Sequence, residues 1–135
     1  MLFRSGCQVF GELFMKRGFG RIVNISSLAG QNGGTITGVH YAAAKGGALS
    51  LTKVFARELA ASGVTVNAVA PGPLDLPIVY DTVGEDGAEK LKKAIPVHQL
   101  GSPRFVADAV VLLISEDAQS VTGACWDING GLSMR

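Results

Sequence analysis

Charge is scarce in this sequence. Lys and Arg number 12 and Asp and Glu 11, for a net charge of +1. No run of basic residues and no alternation of basic with aromatic residues occurs, so the electrostatic footprint of a nucleic-acid binder is lacking. Cysteine is scarce too. Cys7 and Cys125 stand far apart, without the paired spacing of a zinc or redox site and without the spaced set that frames a small secreted domain. Both are expected as thiols in a reducing compartment. The only histidines, His40 and His98, belong to no cluster, so no metal site is expected. Long apolar runs are also missing: the most apolar segment, residues 105–114, is too short to span a bilayer and carries Asp108. The first residues lack the charged start and long apolar stretch of a signal peptide. A cytoplasmic, soluble protein with no membrane partner is expected. No internal repeat and no low-complexity tract is found.

What is abundant is apolar and small. Hydrophobic residues make up 47% of the 135, mean hydropathy is +0.32, and there are 18 glycines. A chain of this length forms one domain with a real core. Its low polar content suggests that something covers part of its surface.

Taken in order, residues 2–15 place Leu2, Phe3, Val9, Phe10, Leu13, Phe14 and Met15 at three- and four-residue spacings, predicting a helix buried on a broad face and ended by Gly18-Phe-Gly20. Arg21-Ile-Val-Asn-Ile-Ser26 is a β-branched run bounded by glycine, read as a buried strand with Ser27 at its C-terminal end. A glycine-rich irregular loop over residues 28–39 follows, holding Gly30, Gly33, Gly34, Thr35 and Gly38. Ala48, Leu49, Thr52, Phe55, Ala56 and Leu59 recur at helical spacing across residues 38–59. Residues 64–70 read as a second buried strand halted by Pro71-Gly72-Pro73. Strand, helix and strand with such short joints form a parallel crossover unit, and ligands bind beyond the C-terminal strand ends of such sheets. Residues 73–101 look irregular, with a short helix near residues 85–94, and are a candidate lid. Ser102 and Pro103 start a helix as N-cap and first residue, running to about Glu116. Residues 123–128 make a last strand.

Within the central helix, Tyr41 and Lys45 lie one turn apart on one face, about 6 Å along the axis. A cation beside a phenol favours its ionised form and brings it toward acid/base work. Ser27 before this helix and Pro71-Gly72 after the next strand fall at the same sheet edge.

With these pieces the sequence resembles the short-chain dehydrogenase/reductase family, in particular the branch that includes the beta-ketoacyl reductases. The matching stretches are Gly20-Arg-Ile-Val-Asn-Ile-Ser-Ser27, Tyr41-Ala-Ala-Ala-Lys45, Val66-Asn-Ala-Val-Ala-Pro-Gly72 and Val121-Thr-Gly-Ala-Cys-Trp-Asp-Ile-Asn-Gly-Gly131. The resemblance implies an NAD(P)-dependent oxidoreductase that interconverts a carbonyl and a secondary alcohol. In it Tyr41 would be the general acid/base, Lys45 would assist Tyr41 and hold the nicotinamide ribose, and Ser27 would bind the substrate oxygen. Pro71, Gly72 and the backbone at Leu74 would border the nicotinamide. The cofactor is left as NAD or NADP, and the substrate as a small carbonyl or alcohol.

The departures from the family pattern are as informative. The dinucleotide fingerprint Thr-Gly-x-x-x-Gly-x-Gly occurs nowhere: Thr37-Gly38 runs into Val-His-Tyr and Thr122-Gly123 into Ala-Cys-Trp. The family's catalytic Asn would fall at or just before Met1. Leu76 stands where the family commonly has a Thr that reaches the nicotinamide amide. The expected fold is therefore α/β, the C-terminal half of a Rossmann-like doubly wound parallel sheet, with about three strands and flanking helices. Residues 1–135 are read as a partial, truncated domain that keeps only the nicotinamide end of the cofactor site. Pyrophosphate would have no glycine-loop amides to sit on. The sequence also admits a non-catalytic fragment acting as an oligomerisation or interaction module. Ala42, Ala43, Ala44, Gly46 and Gly47 would permit close helix approach in a homo-oligomer. A serine hydrolase built on Ser27 with His40 or His98 lacks the Gly-x-Ser-x-Gly elbow.

Overall fold

The short β-branched runs form a parallel sheet of three strands, β1 (Gly20–Ile25), β2 (Val64–Pro71) and β3 (Cys125–Ile128), in that spatial order. The computed structural model describes residues 2–34 and 36–134. Five α-helices accompany the sheet among these residues: α1 (Leu2–Arg17), α2 (Ala29–Asn32), α3 (Val39–Leu59), α4 (Pro77–Ala94) and α5 (Pro103–Leu113). β1 pairs with β2 from Gly20 opposite Val64 to Ile25 opposite Val69, and β2 with β3 from Ala68 opposite Cys125 to Pro71 opposite Ile128. Every residue of β2 is buried. That is what the near-continuous apolar run Val-Thr-Val-Asn-Ala-Val-Ala requires of a strand covered on both faces. Ala56 and Leu59 of α3 close on Val64 and Val66, with Phe14, Ile22 and Phe55 packed around them.

Local chemistry sets the helix ends. α1 stops because Gly18 takes a left-handed φ of 69°, letting its N–H reach the Met15 carbonyl and that of Phe19 reach Phe14. These are the two bonds of a Schellman motif, and a residue with a Cβ would resist that backbone. α5 begins as expected: the Ser102 Oγ accepts from the Phe105 N–H at 3.3 Å, and Pro103 takes the first turn.

Several expectations need correction. The apolar face of α1 is not broadly buried, since only Cys7 and Gly11 are, while Val9 and Phe10 remain 64% and 54% exposed. The short helix near residues 85–94 is the second half of α4, which starts at Pro77 and is interrupted at Gly84 (φ 70°). Proline at the helix start suits the first turn, and the glycine carries the break. α5 ends at Leu113, and a separate 3₁₀ turn, Glu116–Ser120, follows it. β3 begins at Cys125, because Gly123 is left-handed (φ 75°) and cannot continue a strand. The loop over residues 28–39 contains the single-turn helix α2. The position expected for the family's Asn, at or just before Met1, and the loop residue Thr35 lie outside the described residues.

Among the described residues β1 pairs with β2 alone, so its other edge carries no strand. No helix among them is long and apolar enough to cross a membrane.

Candidate functional site at the C-terminal strand ends

All three strands run the same way, so their C-terminal ends open at one edge. β1 runs on through Ser26, whose N–H bonds to the Val69 carbonyl at 2.8 Å, and Leu28 N–H reaches the Pro71 carbonyl at 2.9 Å. Ser27, half-buried between those two ties, is thereby held beside the end of β2. Its Oγ accepts from the Ala29 N–H at 3.2 Å, a serine turn that leads into α2. The turn role of this serine is thus present alongside whatever it does for a ligand.

Lys45 is anchored at both ends. Its ammonium donates to the Ile25 carbonyl at 2.8 Å, and its own carbonyl accepts from the Ser26 Oγ at 2.8 Å. The ammonium also stands 5.6 Å from the centroid of the Tyr41 ring and 5.4 Å from that of Phe3. Both distances lie within the range where a ring face attracts a cation. Tyr41, in the first turn of α3, is 38% exposed. An ammonium has three donors, so the bond to Ile25 leaves two for the hydroxyls of a ligand.

The loop after Ser27 touches this helix directly. A Cβ placed on Gly30 would fall 2.6 Å from the Lys45 carbonyl carbon, and one on Gly46 would fall 3.1 Å from the Gly30 oxygen. Gly46 is therefore kept small by Gly30 of the same chain, which lies against it. Beneath this contact a polar set is buried: Asn24 Nδ2 donates to Thr52 Oγ1 at 2.9 Å, Thr52 Oγ1 donates to the Ala48 carbonyl at 2.8 Å, and Cys7 Sγ lies 3.6 Å from Asn24 Oδ1. Sequence reasoning gave no role to Ser26 or Asn24. The available signal was a polar residue inside an apolar strand, which has to find a partner when buried.

Pro71 and Gly72 are tied into the fold. The Pro71 carbonyl is taken by Leu28, and the Gly72 N–H donates to the Ile128 carbonyl at 2.9 Å. They border the open edge by shape. Leu74 pairs with Gly101 in an isolated parallel bridge, carried by Gly101 N–H to the Pro73 carbonyl and Asp75 N–H to the Gly101 carbonyl. That bridge fixes where α4 departs. On α4 the Tyr80 hydroxyl donates to Asp75 Oδ1 at 2.8 Å, and this bond, followed by burial, holds the phenol above the ordinary tyrosine range. The Glu89 carboxyl is held below its usual value by the Lys92 ammonium at 2.6 Å.

A cleft of about 360 Å³ lies between α1 and β1, lined by Phe3, Cys7, Phe10, Asn24 and Lys45 among others. A larger one, about 650 Å³, lies at the N-terminal strand ends around Arg21, Gly63 and Thr122. It includes none of the residues above. His40 and His98 are exposed, and no group of three His, Cys, Asp or Glu among the described residues could hold a metal ion.

The nicotinamide end of a dinucleotide suits this edge: a cation with two remaining donors, a hydroxyl at a strand end and a glycine beside it. Leu76 offers an amide no hydrogen bond, and no glycine-rich cradle for pyrophosphate is present in the sequence.

Residues 3–133 match the family model described as Enoyl-(Acyl carrier protein) reductase, a short-chain dehydrogenase/reductase model. The chain is 49% identical over 115 residues to an acetoacetyl-CoA reductase of Rhizobium meliloti (strain 1021), which covers 85% of this chain and 47% of that protein. It is 42% identical over 120 residues to a 3-oxoacyl-(acyl-carrier-protein) reductase of Vibrio harveyi, covering 89% of this chain and 48% of that one. Among solved structures, a 3-oxoacyl-(acyl-carrier protein) reductase from Brucella melitensis ATCC 23457 superposes with a TM-score of 0.84 at 38% identity, over 90% of this chain and 45% of that chain. The chain thus spans about half the length of the curated relatives it matches.

Proposed function

The chain belongs to the short-chain dehydrogenase/reductase family, and from that premise we propose that it carries the proton-handling half of an NAD(P)-dependent oxidoreductase interconverting a carbonyl and a secondary alcohol. The observation that carries this reading is the placement of Lys45. Its ammonium is held by the Ile25 carbonyl against the Tyr41 ring, at the strand-end edge that also bears Ser27. When bound, the nicotinamide supplies or accepts the hydride. Tyr41 gives a proton from its Oη to the carbonyl oxygen in reduction, or takes it from the alcohol in oxidation. Ser27 orients that oxygen by hydrogen bonding. Lys45 presents its remaining donors to the ribose hydroxyls and its charge to the phenol. Pro71, Gly72 and the Leu74 backbone limit where the nicotinamide ring can lie.

The test joins this chain to the glycine-rich half of a relative and measures carbonyl reduction with NADH and NADPH. Tyr41→Phe in that protein abolishes turnover; unchanged turnover would sink the assignment.

A second reading, a non-catalytic module that associates with itself or with a partner, is favoured by the unpaired edge of β1 and the exposed apolar residues of α1. Titrating the chain with NADH or NADPH and following cofactor fluorescence separates the two. Micromolar binding counts against the module, whereas no binding together with a dimer by light scattering supports it.

A further inference from the structure

The first two turns of α3 carry Tyr41 and Lys45, yet they are followed at once by Gly46 and Gly47. Consecutive glycines inside a helix leave its backbone poorly restrained. Beyond them α3 is anchored by four buried residues, Ala48, Thr52, Ala56 and Leu59, whereas before them Val39, His40, Tyr41, Ala43 and Ala44 are all exposed. The acid/base segment therefore sits on the soft side of a glycine joint, held by the Gly30 loop and by the Lys45 hydrogen bonds rather than by buried side chains of its own. Gly46 cannot be larger, because Gly30 lies against it; Gly47 has nothing within 4 Å of where its Cβ would be, so packing does not require a glycine there.

One buried hydroxyl bridges this joint. Ser26, 2% exposed, donates its Oγ–H to the Lys45 carbonyl at 2.8 Å, while its N–H is fixed to Val69 in the core strand. The next residue is Ser27 itself. We propose that Ser26 is a positioning residue that fastens the Tyr41–Lys45 turn to the end of β1 and so sets the separation between the Ser27 hydroxyl and the acid/base pair. It touches neither substrate nor cofactor and acts through the Lys45 backbone. This rests on the function proposed above for Tyr41 and Lys45, although the clasp itself can be tested without it.

Hydrogen exchange on this chain is the direct measurement. Ser26→Ala speeds exchange of the amides of residues 41–49 about fivefold while those of residues 52–59 and β2 are unaltered, as expected for a local opening released by one lost hydrogen bond. Adding Gly47→Ala slows the same amides again. In wild-type background Gly47→Ala alone also slows them, which keeps the test open should Ser26→Ala fail to fold. Unchanged exchange at residues 41–49, or an equal rise throughout β2 and α3, overturns the proposal. In the joined oxidoreductase, Ser26→Ala lowers kcat about tenfold with substrate KM within about twofold, a misplacement effect, and Gly47→Ala restores most of the loss. If Tyr41→Phe abolishes turnover but Ser26→Ala leaves kcat intact, the positioning role falls and the function stands. If Tyr41→Phe has no effect, the function falls, and the exchange measurement still decides the clasp.

Discussion

The Lys45 ammonium lies 2.8 Å from the Ile25 carbonyl oxygen, at the edge of β1 that has no neighbouring strand among the described residues. Side chains and peptide groups alternate along a strand, and the adjacent Ser26 N–H points the other way, into β2. Lys45 therefore satisfies a carbonyl that the sheet leaves open. One contact serves two purposes: it closes a polar group at an exposed edge and holds a cation against the Tyr41 ring.

Replacing that cation by an uncharged chain of similar length separates those purposes. Lys45→Met keeps the stem and removes the donors. In the joined oxidoreductase turnover falls by about 10²-fold or more, the scale of a lost acid/base component. The folding free energy of the chain shifts by less than about 1 kcal/mol, since the ammonium is partly solvated. Steady-state assays and urea unfolding of the same variant check both halves.

Two glycines close to the site should respond in opposite directions. Gly30→Ala forces a Cβ to within 2.6 Å of the Lys45 backbone, which cannot move as a flexible side-chain tip would. A cost of about 1–3 kcal/mol in urea unfolding is expected for such overpacking. Gly47→Ala meets no atom within 4 Å and sits in a helix interior. It should stabilise the chain by about 0.5–1 kcal/mol.

The Asn24–Thr52 bond is buried on both sides, with Asn24 6% and Thr52 1% exposed. Removing either partner strands the other. Asn24→Ala and Thr52→Val are each expected to cost about 1–3 kcal/mol. The double variant costs less than their sum, because the second change removes a group that the first had left unsatisfied. A double-mutant cycle by chemical denaturation measures the difference, and strict additivity would contradict the coupling.

The strand ends and the Tyr41 helix were legible because glycine-bounded apolar runs and a helical recurrence of Ala48, Thr52, Ala56 and Leu59 leave few alternatives. Exposure was not. Leu2, Val9, Phe10 and Leu13 recur with the spacing of a packed face whether or not this chain supplies the surface that packs on them. The contact between Gly30 and Gly46 joins residues whose closeness depends on how a loop folds back, and glycine leaves no pattern to read. Ser26 looks like any serine at a strand end; only its 2% exposure and its bond to Lys45 distinguish it. The extent of α4 was hidden by Pro77 and Gly84, since both punctuate loops as readily as they start or break a helix.

Tyr80 offers a pH-dependent check on the α4 segment. Its hydroxyl donates to Asp75, and a phenol that gives its proton to a carboxylate in a hydrogen bond is stabilised in the neutral form, so its pKa is raised. A raised folded-state pKa means that the contribution to stability is complete below the ordinary tyrosine range and disappears as pH climbs through the raised value. In a Tyr41→Phe background Tyr80 is the sole tyrosine, so ultraviolet absorbance of tyrosinate reports it alone. Asp75→Ala lowers the alkaline midpoint toward the ordinary value, because both the hydrogen bond and the like charge that oppose ionisation are gone. Lys92→Met moves it further up, since the ammonium lies 6.0 Å from the ring and favours the phenolate. Midpoints that did not separate in these two directions would mean that Asp75 does not hold the start of α4 against Tyr80 in solution.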